Sequence, residues 1–346
     1  MNLVKHYKIK DVIFKTHNID GIFYIKKTKN INSLFKFLDS ETLIIKESDL
    51  EKVLLHQEKL VLLDEVGKPI KFLKKTEKKY SSINIPKELV DIRISKSRDE
   101  YIYYFERTQP RKFGVTDLKN KIFETTVPNF YWIFSKKKVF YFINEFITCY
   151  SDKNQLSWQH DLSKLNSQIS DKFHKFLGIA HDKLFVLSEQ NRIIVLDINN
   201  GSILKSIHSE EFPDMTDSFM HPESLNIYCL SNTFVKVNSK SLEIETLKKI
   251  TKEKINPETN TNLYGIKDSS YQDKYISFTS YTSFKSGHAK WIGLFDYNIE
   301  EIVWHYELLD ETNSVTILAF ESPQLAGDKL YVLDSENTLH ILELHG

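Results

Sequence analysis

IIVLDINNGSILKSI, residues 193–207, reads as an apolar strand, a polar turn opened by Asp197, and a second strand. WIGLFDYNIEEIVWHYEL (291–308) repeats the phrase with Asp296 at the turn. Looser copies are FITCYSDKNQLSWQHDL (146–162), KFGVTDLKNKIFET (112–125), FVKVNSKSLEIETL (234–247) and LVLLDEVGKPIKFL (60–73). LHILELHG (339–346) reads as the same phrase cut short. Aligned on the turn, the copies place Asp64, Asp117, Ser151, Asp197, Asn238, Asp296 and Glu343 in one register, 34 to 58 residues apart. That interval brackets the ~40–50 residues of a propeller blade.

Upstream of most copies lies another strand pair, as in FLGIAHDKLFVLSEQNR (176–192) and SPQLAGDKLYVLDSENT (322–338). Four antiparallel strands per unit make one blade. In Lys329–Asp334, Leu330 and Val332 face one way, and Tyr331 and Leu333 the other. Apolar groups on both faces suit a sheet held between two neighbours. The expected fold is therefore an all-β propeller of about seven four-stranded blades in one domain, 1–346. The units fall at 33–75, 89–127, 129–162, 173–208, 219–250, 263–309 and 322–346. Leu3–Ile9 is expected to supply the last blade's missing strand and close the ring, which removes an exposed edge. Leu162, Leu165, Ile169, Phe173 and Phe176 keep a helical spacing. Either a short helix links two blades between Asp161 and Phe176, or the second half of that stretch is the next innermost strand.

Composition agrees. Hydrophobic residues make up 41% and aromatics 13%, with 23 Phe and 17 Tyr, a bias toward strands. Only 10 Gly are present, so most turns must use Asn, Asp, Ser and Lys. The longest apolar runs, Phe130–Phe134 and Val139–Ile143, fall far short of the ~18 residues of a membrane helix. The N-terminal stretch lacks a signal-peptide pattern. Cys149 and Cys229 sit in strand-like contexts and are read as buried free thiols, which suggests a cytoplasmic protein. Net charge is zero but uneven: residues 1–80 hold 17 Lys against 11 Asp+Glu, and residues 297–346 hold 10 Asp+Glu against one Lys. A neutral chain lacks the positive excess that nucleic-acid binding needs.

The repeated phrase resembles the pyrroloquinoline-quinone-type propeller repeat: a strand ending Leu-Asp, a Thr-Gly-Lys turn, then a strand carrying Trp. Leu196, Asp197 and Gly201 fit one copy, Phe295, Asp296 and Trp304 another, and Trp158 holds the tryptophan place in a third. The resemblance covers most of residues 112–346. It implies a propeller in which such tryptophans dock neighbouring sheets. Its cofactor does not carry over, because those enzymes often use an adjacent Cys-Cys pair and these two cysteines lie 80 residues apart. No cofactor is expected.

Catalytic patterns are missing from the sequence. There is no HExxH, GxSxG, GxGxxG, phosphate loop or paired-cysteine zinc spacing. His340 and His345 read as ordinary strand or surface residues. The recurrent Asp residues are expected to cap their turns through side-chain bonds to backbone amides, not to gather in one site.

Long connections are expected on one rim, at Thr76–Pro86, Arg107–Lys112, Ser209–Phe219, Thr251–Asn262 and Thr279–Lys290. Loops on a rigid scaffold are where binding residues concentrate. The candidate binding residues are Tyr281, Phe284, Lys285, His288 and Trp291 in SYTSFKSGHAKW (280–291), with Pro213, Met215 and Phe219 in PDMTDSFM (213–220). Such aromatics either anchor a partner or tuck the loop onto its own blade. The functional expectation is a monomeric, non-catalytic, protein-binding propeller, an adaptor or an antitoxin- or immunity-type inhibitor, binding neither nucleic acid nor membrane. The alternative is an enzyme or small-molecule binder with a site in the central channel.

Overall fold

The structure is a computed structural model. It describes the chain apart from residues 19–20, 29–30, 39, 57–58, 77–78, 91, 99–100, 107, 127–131, 136, 144, 152–154, 163–171, 232, 251–253, 257–260, 263, 282–288, 309–321 and 346. Two compact units emerge: Met1–Pro128 with Thr316–Gly346, and Asn129–Val315.

In the first unit, β1 (Asn2–Ile9) joins the last sheet. Blade 1 is β2 (Val12–Asn18), β3 (Gly21–Lys27), β4 (Asn32–Phe37) and β5 (Glu41–Glu47). Blade 2 is β6 (Lys52–His56), β7 (Lys59–Leu63), β8 (Pro69–Thr76) and β9 (Lys79–Ile83). A 3-10 turn (Lys87–Leu89) leads to blade 3: β10 (Ile92–Arg98), β11 (Tyr101–Glu106), β12 (Lys112–Thr116) and β13 (Lys121–Thr125). In the second unit, blade 4 is β14 (Trp132–Ser135), β15 (Lys138–Ile143), β16 (Phe146–Ser151) and β17 (Leu156–Asp161). Blade 5 is β18 (Phe173–Ala180), β19 (Lys183–Ser188), β20 (Ile193–Asp197) and β21 (Ile203–Ile207). Blade 6 is β22 (Phe219–Met220), β23 (Ile227–Leu230), β24 (Thr233–Val237) and β25 (Ile244–Lys249). After a small hairpin, β26 (Lys254–Asn256) with β27 (Thr261–Asn262), blade 7 is β28 (Tyr264–Gln272), β29 (Tyr275–Tyr281), β30 (Ala289–Asp296) and β31 (Glu301–Glu307). Blade 8, back in the first unit, is β32 (Gln324–Ala326), β33 (Lys329–Leu333), β34 (Leu339–His345) and β1. We letter the strands of each blade A to D in that order.

The propeller has eight blades, not about seven. The miscount has a local cause. Asp64 follows strand B of blade 2, so its turn is B–C, whereas the aligned Asp197 and Asp296 follow strand C. Both turn types use the same chemistry. Asp64 Oδ1 accepts the Val66 and Lys68 amides at 3.0 and 2.7 Å, and Asp334 Oδ1 does the same for Glu336 and Thr338 in the B–C turn of blade 8. The expected unit 33–75 therefore fused half of blade 1 with most of blade 2. The stretch Thr76–Pro86, expected as a long connection, instead contains strand β9. Phe173 and Phe176 belong to β18, so that part of the ambiguous stretch is strand; residues 163–171 lie outside the described residues.

The capping expectation holds at the true C–D turns. Asp197 accepts the Asn199 amide at 2.7 Å, and Asp296 the Asn298 amide at 2.9 Å. Asp117 accepts those of Lys119 and Asn120, and Asn238 those of Lys240 and Ser241. Ser151 Oγ accepts that of Gln155 at 3.3 Å.

Each unit holds its blades together through apolar seams. In the first, one cluster joins blades 8 and 1 (Tyr331, Ile341, Val12, Tyr24), a second joins 1 and 2 (Phe23, Leu34, Val53, Leu60), and a third joins 2 and 3 (Val61, Phe72, Ile92, Tyr104). In the second unit, corresponding clusters join 4 to 5, 5 to 6 and 6 to 7. A side chain early in strand D also reaches the next blade's C–D turn. Trp158 donates Nε1–H to Ile198 O at 3.0 Å, Lys205 pairs with Glu243 at 2.5 Å, and Thr246 donates to Glu300 Oε1 at 2.7 Å. Trp158 does so by lying against Gly201. A Cβ there would come within 2.5 Å of the indole, and φ is +72°, so the turn needs glycine twice over.

Leu3–Ile9 closes blade 8 as expected. β1 pairs antiparallel with β34, from Asn2 opposite His345 to Ile9 opposite Leu339. Lys5 thereby lies opposite Glu343. A polar chain ties the two strands: Asp334 Oδ2 to His340 Nε2 at 2.8 Å, then His340 Nδ1 to His6 Nε2 at 3.0 Å.

Candidate functional site

The connection from blade 5 to blade 6 is built from its own backbone bonds. The Phe212 amide donates to Ser209 O at 3.1 Å, and the Ser218 amide to Met215 O at 2.9 Å. Asp214 Oδ1 accepts the Thr216 amide at 3.0 Å. Met215 anchors the middle: its side chain is fully buried in the seam between blades 5 and 6, and its amide donates to Asn191 Oδ1 at 3.0 Å. Pro213 is half-buried beside exposed Glu211 and Asp214. Phe219 then starts strand A of blade 6 and packs into the seam between blades 6 and 7.

The second connection leaves β29 at Tyr281 and enters β30 at Ala289. Trp291 is 7% exposed and stands opposite fully buried Ser280. It belongs to the same 6–7 seam as Phe219, with Tyr228, Phe234, Phe278 and Phe295. Its ring lies 5.8 Å from that of His305. Among the described residues its indole N–H is buried without a hydrogen-bond acceptor. Strand C can pass close to strand B here because Gly293 faces Phe278, whose ring would lie 2.3 Å from a Cβ.

Of the eight residues singled out by sequence, Phe219 and Trp291 meet in one cluster, and Met215 lies one seam earlier. Pro213 stays at the surface boundary. Tyr281 ends β29, and its side chain lies outside the described residues, as do Phe284, Lys285 and His288 altogether.

Sequence reasoning missed the polar heart of this seam. His221, which is buried, forms a ring triangle with Tyr228 and Tyr297, at 5.8, 5.6 and 5.1 Å between centroids. His221 Nδ1 accepts the Glu223 and Ser224 amides at 3.3 Å, so the neutral ring carries its proton on Nε2, 3.4 Å from the Tyr297 hydroxyl. That hydroxyl donates in turn to Asp273 O. Burial lowers the His221 pKa, against a smaller opposing pull from Glu223. Burial likewise pushes the Cys149 and Cys229 thiols up, to about 11 and about 12, and both cysteines are free and buried. Among the described residues no helix is long and apolar enough to cross a membrane.

No family model matches the chain, and no curated protein matches it. Solved structures do. The C-terminal WD40 domain of Sif2 is similar with a TM-score of 0.63 and 10% identity over 99% of both chains. Sqt1 of Saccharomyces cerevisiae is similar with a TM-score of 0.59 and 9% identity, over 100% of this chain and 99% of its own. The computationally designed Ika8 protein gives 0.52 and 9%, over 97% of this chain and 96% of its own. At such identities the likeness establishes the fold, a β-propeller. The quinone-type repeat remains a resemblance of the turn phrase.

Proposed function

We propose that this propeller is a non-catalytic, protein-binding module, an adaptor or inhibitor acting in the cytoplasm, and that it grips its partner with the connections 208–218 and 282–288. The observation that carries this reading is the shared root of the two connections. Phe219 at the end of one and Trp291 just past the other pack into the same seam. A rigid cluster at the roots of two connections is the kind of scaffold on which binding residues concentrate. Exposed Glu211 and Asp214 on the first connection add hydrogen-bond acceptors beside it. The two free thiols suit a reducing compartment.

The test replaces residues 282–288 by a Gly-Ser linker, leaving β29, β30 and Trp291 untouched. A control variant changes the His181–Asp182 turn to Asn-Gly, which its positive φ values of 50° and 58° accept. Partner recovered by wild type and control but not by the loop variant supports the reading. Equal recovery by all three overturns it.

A further inference from the structure

Blade 8 differs from blades 5 and 7 at the end of strand C, and the difference leaves a group of metal ligands together. In blade 5 the residue after Asp197 donates its amide to the A–B turn: Ile198 N to Asp182 O, 3.1 Å. In blade 7 Tyr297 N donates to Lys274 O at 3.1 Å, and in blade 8 Leu344 N donates to Asp328 O at 2.7 Å. Glu343 therefore holds the place of Asp197 and Asp296. Those two spend a carboxylate oxygen on a C–D turn amide. Strand D of blade 8 is β1, and among the described residues no C–D turn amide donates to the Glu343 carboxylate.

Its carboxylate turns to other donors instead. Glu343 Oε1 lies 3.5 Å from His345 Nε2, two residues along the same strand face. His345 Nε2 lies 3.9 Å from Asp328 Oδ2 in the A–B turn. One donor atom from each of the three falls within 4.8 Å of the others. Lys329 takes the other oxygen, Asp328 Oδ1, at 3.2 Å, which orients the carboxylate and leaves Oδ2 toward the histidine. In blade 7 the place of Asp328 is taken by Lys274, which pairs with the strand-C acid, Asp296, at 2.9 Å. Blade 8 thus keeps two carboxylates facing one imidazole where blade 7 has a neutralised turn.

We propose that Asp328, Glu343 and His345 bind a divalent transition-metal ion, with water completing its shell. One nitrogen and two oxygen donors suit Zn²⁺ or Ni²⁺ over Mg²⁺, which demands oxygen and gives up water reluctantly. Ligand bonds of ~2.0–2.2 Å put the donors of a tetrahedral ion roughly 3.4 Å apart. The observed 3.5 and 3.9 Å need small side-chain adjustments at a surface that permits them. The bound ion would pin the A–B turn to the end of strand C beside the closing strand, so it would stabilise the sheet that joins the chain's two ends.

The test is isothermal titration of ZnCl₂ into the untagged, EDTA-treated full chain, with thermal melting alongside. Wild type should show saturable one-site binding and a raised melting midpoint with zinc. His345→Ala and Glu343→Gln should each lose affinity by at least the ~10-fold that removing even a supporting partner costs, and MgCl₂ should give no comparable binding. His345 is 61% exposed, so its removal leaves the fold intact, and Glu343→Gln keeps shape. No saturable zinc binding by wild type overturns the proposal. So does an affinity unchanged in both variants, which would place the ion elsewhere.

Discussion

Blade 5 and blade 8 have the same four-stranded order, but one is made from a single run of chain and the other from both ends of the sequence. Blade 5 runs from Phe173 to Ile207 without interruption, each strand turning back on the last. Blade 8 takes three strands from residues 324–345 and its fourth from residues 2–9. In blade 5 local turn chemistry positions every strand. In blade 8 the outer strand has no turn to position it, and its register rests on cross-strand pairing and on the Asp334–His340–His6 chain. Side-chain bonds take over where chain connectivity is missing.

Deleting residues 1–10 should break this comparison most severely. The edge of β34 would lose its partner, along with buried Ile9 and half-buried Tyr7 from the 8–1 seam. The loss should exceed the ~3–5 kcal/mol of one large core truncation, and the bared edge should drive association. Gel filtration and melting midpoints check it. A truncated chain that stays monomeric with an unchanged midpoint would show that β1 contributes nothing to closure.

A smaller effect tests the continuous side of the comparison, where blade 4 docks on blade 5. Trp158→Ala should cost ~3–5 kcal/mol by emptying the space over Gly201 and leaving Ile198 O with Lys138 as its remaining side-chain donor. Gly201→Ala should also destabilise, because its Cβ would strike the indole and its backbone conformation disfavours a side chain. In the double variant the indole clash is gone, so the two costs should fall short of additive. Denaturant melts of the four proteins decide, and strict additivity would mean the ring and the turn do not touch in solution.

The finest contrast is pH. Burial, with His340 and Lys8 adding to it, lowers the His6 pKa from 6.5 to about 4. The unfolded chain therefore takes up this proton at higher pH than the folded one does. Stability should be full above about 6.5, fall as pH drops toward 4, and level off below. His6→Asn keeps a polar side chain that can donate to or accept from His340 Nδ1 but removes the titration, so its stability should fall less over that window. The turn of blade 5 that matches Asp334 carries Ser188, which does not titrate there. Parallel pH profiles for wild type and His6→Asn would assign the acid sensitivity to other groups.

The candidate binding surface was legible only in part. Aromatic residues in two long connections were readable as anchors. That Met215 and Trp291 spend their side chains inside seams was not, because exposure depends on which blade lies alongside. The His221–Tyr228–Tyr297 triangle joins residues 76 apart in sequence at its widest. The ligand group of blade 8 joins Asp328 to Glu343 and His345 through a hairpin, with none of the short spacings that announce a metal motif.

Strand type, the alternation of apolar faces, the recurrent four-strand unit and the closing role of Leu3–Ile9 all follow from residue order, because period and turn chemistry act over a few neighbours. The number of blades does not. An aspartate that caps two amides looks alike after strand B and after strand C, as Asp64 and Asp117 do. Phase within the blade is a property of which strand pairs with which, and only the assembled sheet carries it. The seam contacts and the His6–His340–Asp334 chain are decided at that same level, since each brings together side chains that no local force holds near one another.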